Sequence, residues 1–296
     1  MIPEIEYFPV NETEKVFFSI LIPSWNNLDC LKLCIEGIRE NSFYHHQIVV
    51  HANEATDGTL EWLKENNIAF THSKSNVGVC YGFNAPYSLA ISDYICLIDD
   101  DMYVCPNWDK PIYEEILKLN HHYFCLSGTI FESKKSTCPV FLTPYDFGKT
   151  PLDFNKSALL EQYDKIESED WTGGNWYPMV LHRRIWDLVG GLSIEFTPGM
   201  YSDPDFMMKL WHAGVRYYRG LANSRTYHFA TKTTSRVKKN NGRKQFLLKW
   251  GFTSGTLFKY YLKMGHKFEG ISPEPEIKGK LRRKILIDKL KKVFST

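Results

Sequence analysis

The sequence has 296 residues, of which 43% are hydrophobic, 15% aromatic and 24% charged, a composition that excludes global disorder and a collagen-like repeat. This length suits one large domain or two smaller units. The net charge of +2 conceals a polarity, because 18 Lys or Arg and only 4 Asp or Glu follow residue 230, which leaves the front of the chain acidic.

Neither a membrane span nor a disulfide framework is indicated. No apolar run approaches the roughly 20 residues of a spanning helix, and the N-terminal residues are acidic where a signal peptide is basic. The seven cysteines are odd in number and form no CxxC pair, which favours reduced, mostly buried thiols over disulfides or a zinc site. The sequence therefore predicts a soluble, cytoplasmic protein.

In the first hundred residues, short apolar runs alternate with helical patterns. The predicted strands are residues 17–22, 47–50, 68–71 and 94–98. The predicted helices are residues 26–41, 58–66 and 81–91, and Asn26 or Asn27 is expected to cap the first of them. This alternation predicts an α/β fold with a mostly parallel central sheet and helices on both faces.

The second half is less regular. The predicted helices are residues 108–120 and 203–213, and the predicted strands are 123–130, 176–182, 215–218 and 225–230. Residues 143–170 are polar and broken by Pro and Gly, which indicates a loop with short helices. A basic, asparagine-containing linker and two basic helical stretches end the chain.

Three carboxylates follow the apolar run at residues 94–98. Asp99, Asp100 and Asp101 would repel one another unless a cation or solvent relieves them. Open α/β sheets bind ligands beyond the carboxyl ends of their strands, where such oxygens suit Mg²⁺ or Mn²⁺ shared with a phosphate. The alternative for this triplet is a solvated loop or helix cap.

Several separated motifs across residues 17–251 resemble the inverting glycosyltransferases of family 2, which have the GT-A fold, a Rossmann-like nucleotide-binding domain. In chain order they are Ile22-Pro23-Ser24-Trp25-Asn26, Thr56-Asp57-Gly58-Thr59, Asn76-Val77-Gly78 with Asn84, Asp99-Asp100-Asp101, Thr172-Gly173-Gly174, Arg183-Arg184 with Gly190-Gly191, Asp203-Pro204-Asp205 and Lys249-Trp250-Gly251. The resemblance implies a metal-dependent enzyme that transfers one sugar from a nucleotide-sugar donor, with a UDP-sugar favoured.

The resemblance also implies a donor site. Trp25 is expected to stack on the nucleotide base, although a Trp buried under the sheet edge is the alternative. The family's acidic pair is replaced by Ala52 and Asn53, so an amide takes the place of the carboxylate that usually contacts uracil. The residues expected to bind the nucleotide sugar are Pro23, Ser24, Trp25, Asn53, Glu54, Lys74, Asn76, Gly78, Asp99 and Asp100.

The catalytic, metal and acceptor residues follow from the same resemblance. Inverting transfer needs a general base, which is expected to be Asp203, with Asp205 as the second candidate. The alternative is that both aspartates merely cap a helix. Ser202 stands where the family usually has Glu. The metal ligands are expected to be Asp101 and Asp99, with His228 as either a further ligand or a structural His. The acceptor is expected to contact Trp171, Gly173 and Gly174.

The sequence divides into a GT-A domain at residues 1–230 and a basic extension at 231–296. The linker after residue 231 is either a lid over the donor diphosphate or a solvated loop. Residues 280–294 form a basic amphipathic helix, in which Leu281, Ile285, Val293 and Phe294 can share a face. That helix suits either the anionic inner face of a membrane or a protein partner, whereas nucleic acid is not expected.

The predicted function is transfer of a sugar to a hydroxyl of a glycan or lipid-linked acceptor. A nucleotidyltransferase that makes a sugar nucleotide is the first alternative, although the first strand is not followed by the glycine-rich basic loop that it would need. A non-catalytic carbohydrate- or membrane-binding module of the same fold is the second. A dehydrogenase is disfavoured because no GxGxxG follows the first strand.

Overall fold

The computed structural model describes residues 3–174, 176–231 and 236–293. In these residues eleven strands form one sheet, in the order β1-β4-β3-β2-β5-β10-β7-β11-β6, with β8 paired to β7 and β9 to β11. The strands are β1 (Glu6–Phe8), β2 (Ser19–Ser24), β3 (Gln47–Asn53), β4 (Ala69–Ser73), β5 (Tyr94–Leu97), β6 (Met102–Val104), β7 (Phe124–Glu132), β8 (Phe141–Leu142), β9 (Trp171–Thr172), β10 (Met179–His182) and β11 (Tyr217–His228).

The parallel part of the sheet is formed by β4, β3, β2 and β5, which pair in parallel in that order. Their side chains are almost all buried, as expected of strands covered on both faces, which is why they occur in the sequence as continuous apolar runs. Strand β10 is antiparallel to β5 and β7, whereas β11 is parallel to β7. The predicted α/β fold with a mostly parallel sheet is confirmed.

Helices cover the sheet. They are α1 (Leu28–Asn41), α2 (Thr59–Glu65), α3 (Gly78–Tyr87), α4 (Asp109–Lys118), α5 (Lys156–Gln162), α6 (Arg183–Val189), α7 (Ser202–His212), α8 (Gly242–Trp250), α9 (Ser254–Thr256) and α10 (Gly279–Val293). Helix α3 packs on β2 and β3, and α1 packs on β6. None of the helices in the described residues is both long and apolar enough to cross a bilayer.

Three local predictions differ from the structure. Pro23 does not end β2, which runs on to Ser24. The two strands expected after residue 215 are one strand, β11, with a shift of register between Gly220 and Arg225 that hides its continuity. Asn27 stands at the N-cap of α1 but makes no capping bond; its side-chain amide donates to Asp100 at 3.1 Å.

The C-terminal helix α10 is fixed to the protein by a buried carboxylate. Asp288 is 0% exposed and accepts hydrogen bonds from the Thr253 N–H at 3.0 Å, the Thr253 hydroxyl at 3.0 Å and the Thr256 hydroxyl at 2.7 Å. The Lys284 ammonium lies 2.5 Å from the other carboxylate oxygen. Burial opposes ionisation of Asp288, but these donors outweigh it and lower its pKa to about 2.

Asp288→Asn is therefore expected to reduce the free energy of unfolding by about 1–3 kcal/mol at neutral pH, because the hydrogen-bond donors around this side chain would face a neutral amide instead of a charged carboxylate. The pKa of Asp288 is lower in the folded state than in the unfolded chain. Its contribution to the free energy of unfolding is therefore complete above pH ~4, the pKa of an aspartate in the unfolded chain, and is lost as the pH falls toward 2. Urea unfolding of both proteins from pH 7 to pH 3 measures the difference. A difference that does not shrink at acidic pH would contradict this role.

Candidate active site

A pocket of about 620 Å³ opens at the carboxyl ends of β2 and β5, beside the start of α7. Eight of the ten residues predicted to bind the donor line it, and six of these are Pro23, Ser24, Trp25, Asn53, Asn76 and Gly78. The predicted carboxylate and histidine groups that also line it are Asp99, Asp100, Asp101, Asp203 and His228. The structure thus brings together residues that are up to about two hundred positions apart in the sequence.

The three consecutive aspartates have different partners. Asp100 accepts hydrogen bonds from the Ser24 hydroxyl at 2.7 Å and the Asn27 amide at 3.1 Å, so it links the ends of β2 and β5. Among the described residues none donates a hydrogen bond to the Asp99 carboxylate, which borders the pocket. Burial and the neighbouring Asp101 raise the pKa of Asp99 well above its usual range. Asp99 therefore tends to keep its proton until a further cation lies beside it.

Asp101 is held by the segment that follows β11. Its Oδ2 accepts hydrogen bonds from the Thr231 N–H and the Thr231 hydroxyl, each at 2.8 Å, and its Oδ1 lies 3.4 Å from Nε2 of His228. Burial raises the pKa of Asp101, but His228 and Thr231 together outweigh burial and lower it. Asp101 is therefore ionised at neutral pH.

His228 lies between two carboxylates. Its Nδ1 is 2.7 Å from Oε1 of Glu132, because the parallel register of β7 and β11 aligns these two residues. Burial would lower the pKa of His228, but Asp101 and Glu132 raise it to about 10. The sequence analysis missed Glu132, and no local motif marks it, because its contact with His228 depends on strand pairing over 96 positions.

Asp203 is a partly buried carboxylate in the first turn of α7. It accepts a hydrogen bond from the Tyr177 hydroxyl at 3.2 Å, and burial raises its pKa to about 6 even though that hydrogen bond lowers it. Asp205 has different surroundings, since it is fully buried and does not line the pocket. One oxygen of Asp205 lies 2.8 Å from the Trp250 indole nitrogen and 2.9 Å from the Lys249 ammonium.

Trp25 lies at the mouth of the pocket with both its indole nitrogen and its ring occupied. The indole N–H donates to Glu54 at 2.7 Å, so Glu54 orients the ring but does not itself line the pocket. The guanidinium of Arg236 stacks 4.2 Å from the ring centroid and donates to the Trp25 carbonyl at 2.7 Å. Arg236 thus occupies one face of the aromatic surface, as a cation–π partner.

Asn53 holds the loop before α3. Its carbonyl oxygen accepts from the Ser73 hydroxyl and the Val77 N–H, and its amide donates to Asn76 at 2.9 Å. Gly78, with φ of +77°, is needed here, because a Cβ would lie 2.7 Å from the backbone of Pro198. The close approach of the 197–199 loop completes this wall of the pocket, and the sequence analysis did not foresee it.

Besides Glu54 and Asp205, four of the predicted site residues do not line the pocket. Lys74 is exposed and pairs with Glu4 and Glu6, each at 3.6 Å. Trp171 is buried, and its indole nitrogen donates to the Thr129 hydroxyl at 3.1 Å. Of the two glycines in the predicted acceptor site, Gly173 packs against Met264 and Gly174 against Cys125.

The pocket offers carboxylate oxygens to a divalent cation. Within the described residues, no three His, Cys, Asp or Glu side chains form a metal site by themselves. The Asp99 carboxylate nevertheless lacks a compensating donor among the described residues, and Asp101 lies next to it. Hard oxygen ligands of this kind suit Mg²⁺ or Mn²⁺ when a phosphate completes the coordination sphere.

Comparison with known proteins finds similarity in sequence and in fold. The family model described as glycosyl transferase family 2 matches residues 19–171, about half of the chain. The glycosyltransferase GlyG of Streptococcus pneumoniae serotype 4 is 23% identical over 103 residues, which are 33% of this chain and 34% of GlyG. The chain thus matches about a third of the length of this curated relative.

Solved structures share the fold. TarS of S. aureus, residues 1–349 in complex with UDP, has a TM-score of 0.52 and 16% identity, and the match covers 72% of this chain and 60% of that one. A second TarS structure has a TM-score of 0.57 and 13% identity, with 95% of this chain and 44% of that chain covered. This likeness is one of fold, and the predicted GT-A fold is confirmed.

Proposed function

The chain belongs to glycosyltransferase family 2, and on that premise we propose that it transfers a single sugar from a nucleotide-sugar donor to a hydroxyl of a glycan or lipid-linked acceptor, with inversion at the anomeric carbon. The observation that carries this proposal is that the aspartates after β5 and the Asp203 carboxylate line one pocket. An inverting transfer needs a leaving-group site and a base within one cavity.

Asp203 is the proposed general base. It takes the proton of the acceptor hydroxyl as that oxygen attacks the anomeric carbon; the new glycosidic bond forms, and the bond to the diphosphate oxygen breaks on the opposite face. The Tyr177 hydroxyl orients the carboxylate through its bond at 3.2 Å. A pKa of about 6 keeps Asp203 ionised at neutral pH and makes it a stronger base than an exposed aspartate. Asp205, held by Trp250 and Lys249, keeps the start of α7 in place.

The donor is proposed to bind between Trp25 and the aspartates. The indole ring, oriented by Glu54, provides the surface on which the base stacks. A UDP-sugar is favoured, with support from the UDP complex of TarS, which has the same fold. The side-chain amides of Asn53 and Asn76 are hydrogen-bonded to each other and form the wall behind the nucleobase.

A divalent cation, Mn²⁺ or Mg²⁺, is proposed as the cofactor. Asp99 and Asp101 would hold it, and His228 could join them only as the neutral imidazole, because a ligating nitrogen needs its lone pair. When bound, such an ion stabilises the negative charge that develops on the departing diphosphate. Thr231 and Glu132 keep Asp101 and His228 in place for this role.

We propose a two-part organisation in which residues 1–230 form the catalytic domain and residues 231–296 complete the site. The support is that Thr231, Val237 and Lys239 line the pocket together with Trp25. We place the protein in the cytoplasm, at the inner face of a membrane where lipid-linked acceptors are found.

A panel of UDP-, GDP- and dTDP-sugars with Mn²⁺ tests the proposal. We expect one class of donor to raise the melting temperature, because a ligand that binds only the folded state stabilises it. The same donor should release its nucleoside diphosphate slowly in water and faster when an acceptor is added. A protein that binds none of the donors, or that cleaves the donor to a nucleoside monophosphate and a sugar 1-phosphate, would refute a sugar transferase.

The pH dependence of transfer is expected to report Asp203. Because the base must be ionised, kcat/KM should rise with pH and level off above about 6, the pKa of Asp203. In Tyr177→Phe the carboxylate loses a hydrogen bond that lowers its pKa, so the rise should move to higher pH. Initial rates at saturating metal across this range measure both curves. An unchanged midpoint in Tyr177→Phe would argue against Asp203 as the titrating group.

A further inference from the structure

Helix α10 buries a carboxylate, Asp288, against the protein and leaves three large apolar side chains exposed. Asp288 is fully buried, whereas Leu286, Ile287 and Leu290 are 53%, 50% and 60% exposed. A surface helix ordinarily buries its apolar side and exposes its charged side. The sequence suggested Leu281 for the outer face, but Leu281 is 4% exposed and faces the protein. Phe294 lies outside the described residues.

Cations flank the exposed apolar side chains. Leu286 and Leu290 are four residues apart and so lie on one side of the helix, with Ile287 beside them. Four exposed basic residues lie around them: Lys280, Arg282, Arg283 and Lys289. The sole acidic residue of α10 is Asp288, which is buried and paired with Lys284. The outer face of α10 therefore combines apolar side chains with uncompensated positive charge.

A groove runs between this face and α8. It has a volume of about 660 Å³, with Leu247, Ile287 and Leu290 as its apolar part. Arg243 and Lys244 of α8 line it opposite α10. This combination of cations and apolar side chains is complementary to an anionic amphiphile, a negatively charged head group attached to hydrocarbon.

We propose that the outer face of α10, together with the groove beside α8, docks the protein on an anionic phospholipid bilayer. The apolar side chains enter the head-group region, and the flanking cations bind lipid phosphates; these are the two contributions that hold an amphipathic helix on a membrane. The inference deepens the proposed function, because it names the surface through which the enzyme reaches a lipid-linked acceptor.

The charge distribution of the whole chain favours a membrane over a protein partner. Residues before 231 carry an excess of acids, so an anionic surface repels that part and attracts the C-terminal part. Three apolar side chains offer too small an area for a stable protein interface, which typically buries 800 Å² on each partner. A bilayer needs no matching shape and accepts such a small apolar patch.

The docking surface lies next to the active site. Asn240 bonds through its side chain to both the N–H and the carbonyl of Met200, each at 3.1 Å, and Met200 lines the pocket. Asn241, the next residue, lines the groove. A bilayer held against α10 therefore lies beside the pocket, within reach of an acceptor anchored in it.

Vesicle sedimentation of the full chain tests the proposal. The probes are vesicles of phosphatidylcholine alone and of phosphatidylcholine and phosphatidylglycerol in equal parts, at about 0.15 M salt. We expect binding to the mixed vesicles only, weakened by added salt. The triple variant Leu286→Glu, Ile287→Glu, Leu290→Glu should lower the partition coefficient at least about tenfold. The matched control is Leu117→Glu on α4, which replaces an equally exposed leucine, 66% accessible, and should bind like the unmodified protein.

Each outcome decides the proposal. Loss of binding in the triple variant, with an unchanged melting temperature, supports it. Absence of binding to anionic vesicles, or equal loss in Leu117→Glu, overturns it. A dimer in analytical ultracentrifugation that the triple variant abolishes would show instead that a second copy covers the face. Donor turnover is measured separately in solution; vesicle binding without turnover would refute the transferase, and turnover without vesicle binding would refute the docking surface.

Discussion

Asp203→Asn is expected to lower kcat for sugar transfer by about 10²–10⁴-fold, the usual contribution of a general base. The amide keeps the shape of the side chain and can still bond to the Tyr177 hydroxyl, so the start of α7 should remain intact. Donor affinity should change little, because the carboxylate acts on the acceptor hydroxyl and not on the nucleotide. Initial rates with saturating donor and acceptor, together with calorimetric titration of the donor, measure the two effects separately.

The control for this variant is Glu61→Gln, which neutralises an exposed carboxylate in the first turn of α2. It should transfer sugar at the unmodified rate. If Asp203→Asn also kept that rate, the base would have to be another group. Asp205 would then be tested next, although it is fully buried and does not line the pocket.

Asp101→Ala is expected to reduce transfer on the order of 10³-fold, equivalent to roughly 4 kcal/mol of transition-state stabilisation. The variant removes an ionised oxygen ligand from the proposed cation site, and it also frees Thr231 and His228 from their shared partner. The metal concentration that gives half-maximal activity should rise as well. Activity measured over a range of Mn²⁺ concentrations records both changes.

A second variant separates the electrostatic effect from a structural one. Thr231→Val removes the hydroxyl donor to Asp101 but keeps the backbone N–H bond at 2.8 Å, so transfer should fall far less than in Asp101→Ala. Asp29→Asn, on the exposed side of α1, is the matched control and should leave both activity and metal dependence unchanged. If Asp101→Ala folded normally and transferred sugar at the unmodified rate, the cation site would have to lie elsewhere.

The central sheet was predictable from the sequence because its strands are covered on both faces. Such strands have no polar side, so β2 and β5 occur as continuous apolar runs. Strand β11 was split in the prediction because its register shifts between Gly220 and Arg225, a change that depends on its neighbour β7. The short strand β6 was missed, since three residues give too little pattern to detect.

The candidate site was predictable where a motif is continuous and not where a contact is made in space. The three aspartates and Asp203 belong to short motifs, and the structure places them in one pocket. Tyr177 contacts Asp203 from 26 positions away, and Arg236 stacks on Trp25 from 211. Trp171 resembles a binding residue in sequence, but the fold buries it against β11. Local patterns contain no information about such distant partners.

The buried carboxylate of Asp288 holds α10 on the protein, a role that the apolar side chains of a surface helix usually have. Because this one polar anchor sets the rotation of α10, the leucine and isoleucine side chains on the opposite side contribute little to holding the helix in place. Substitutions there are therefore expected to leave folding unaffected and to alter only the surface that α10 presents. Over evolutionary time, related chains could therefore vary that side to suit different surroundings while the catalytic body stays constant.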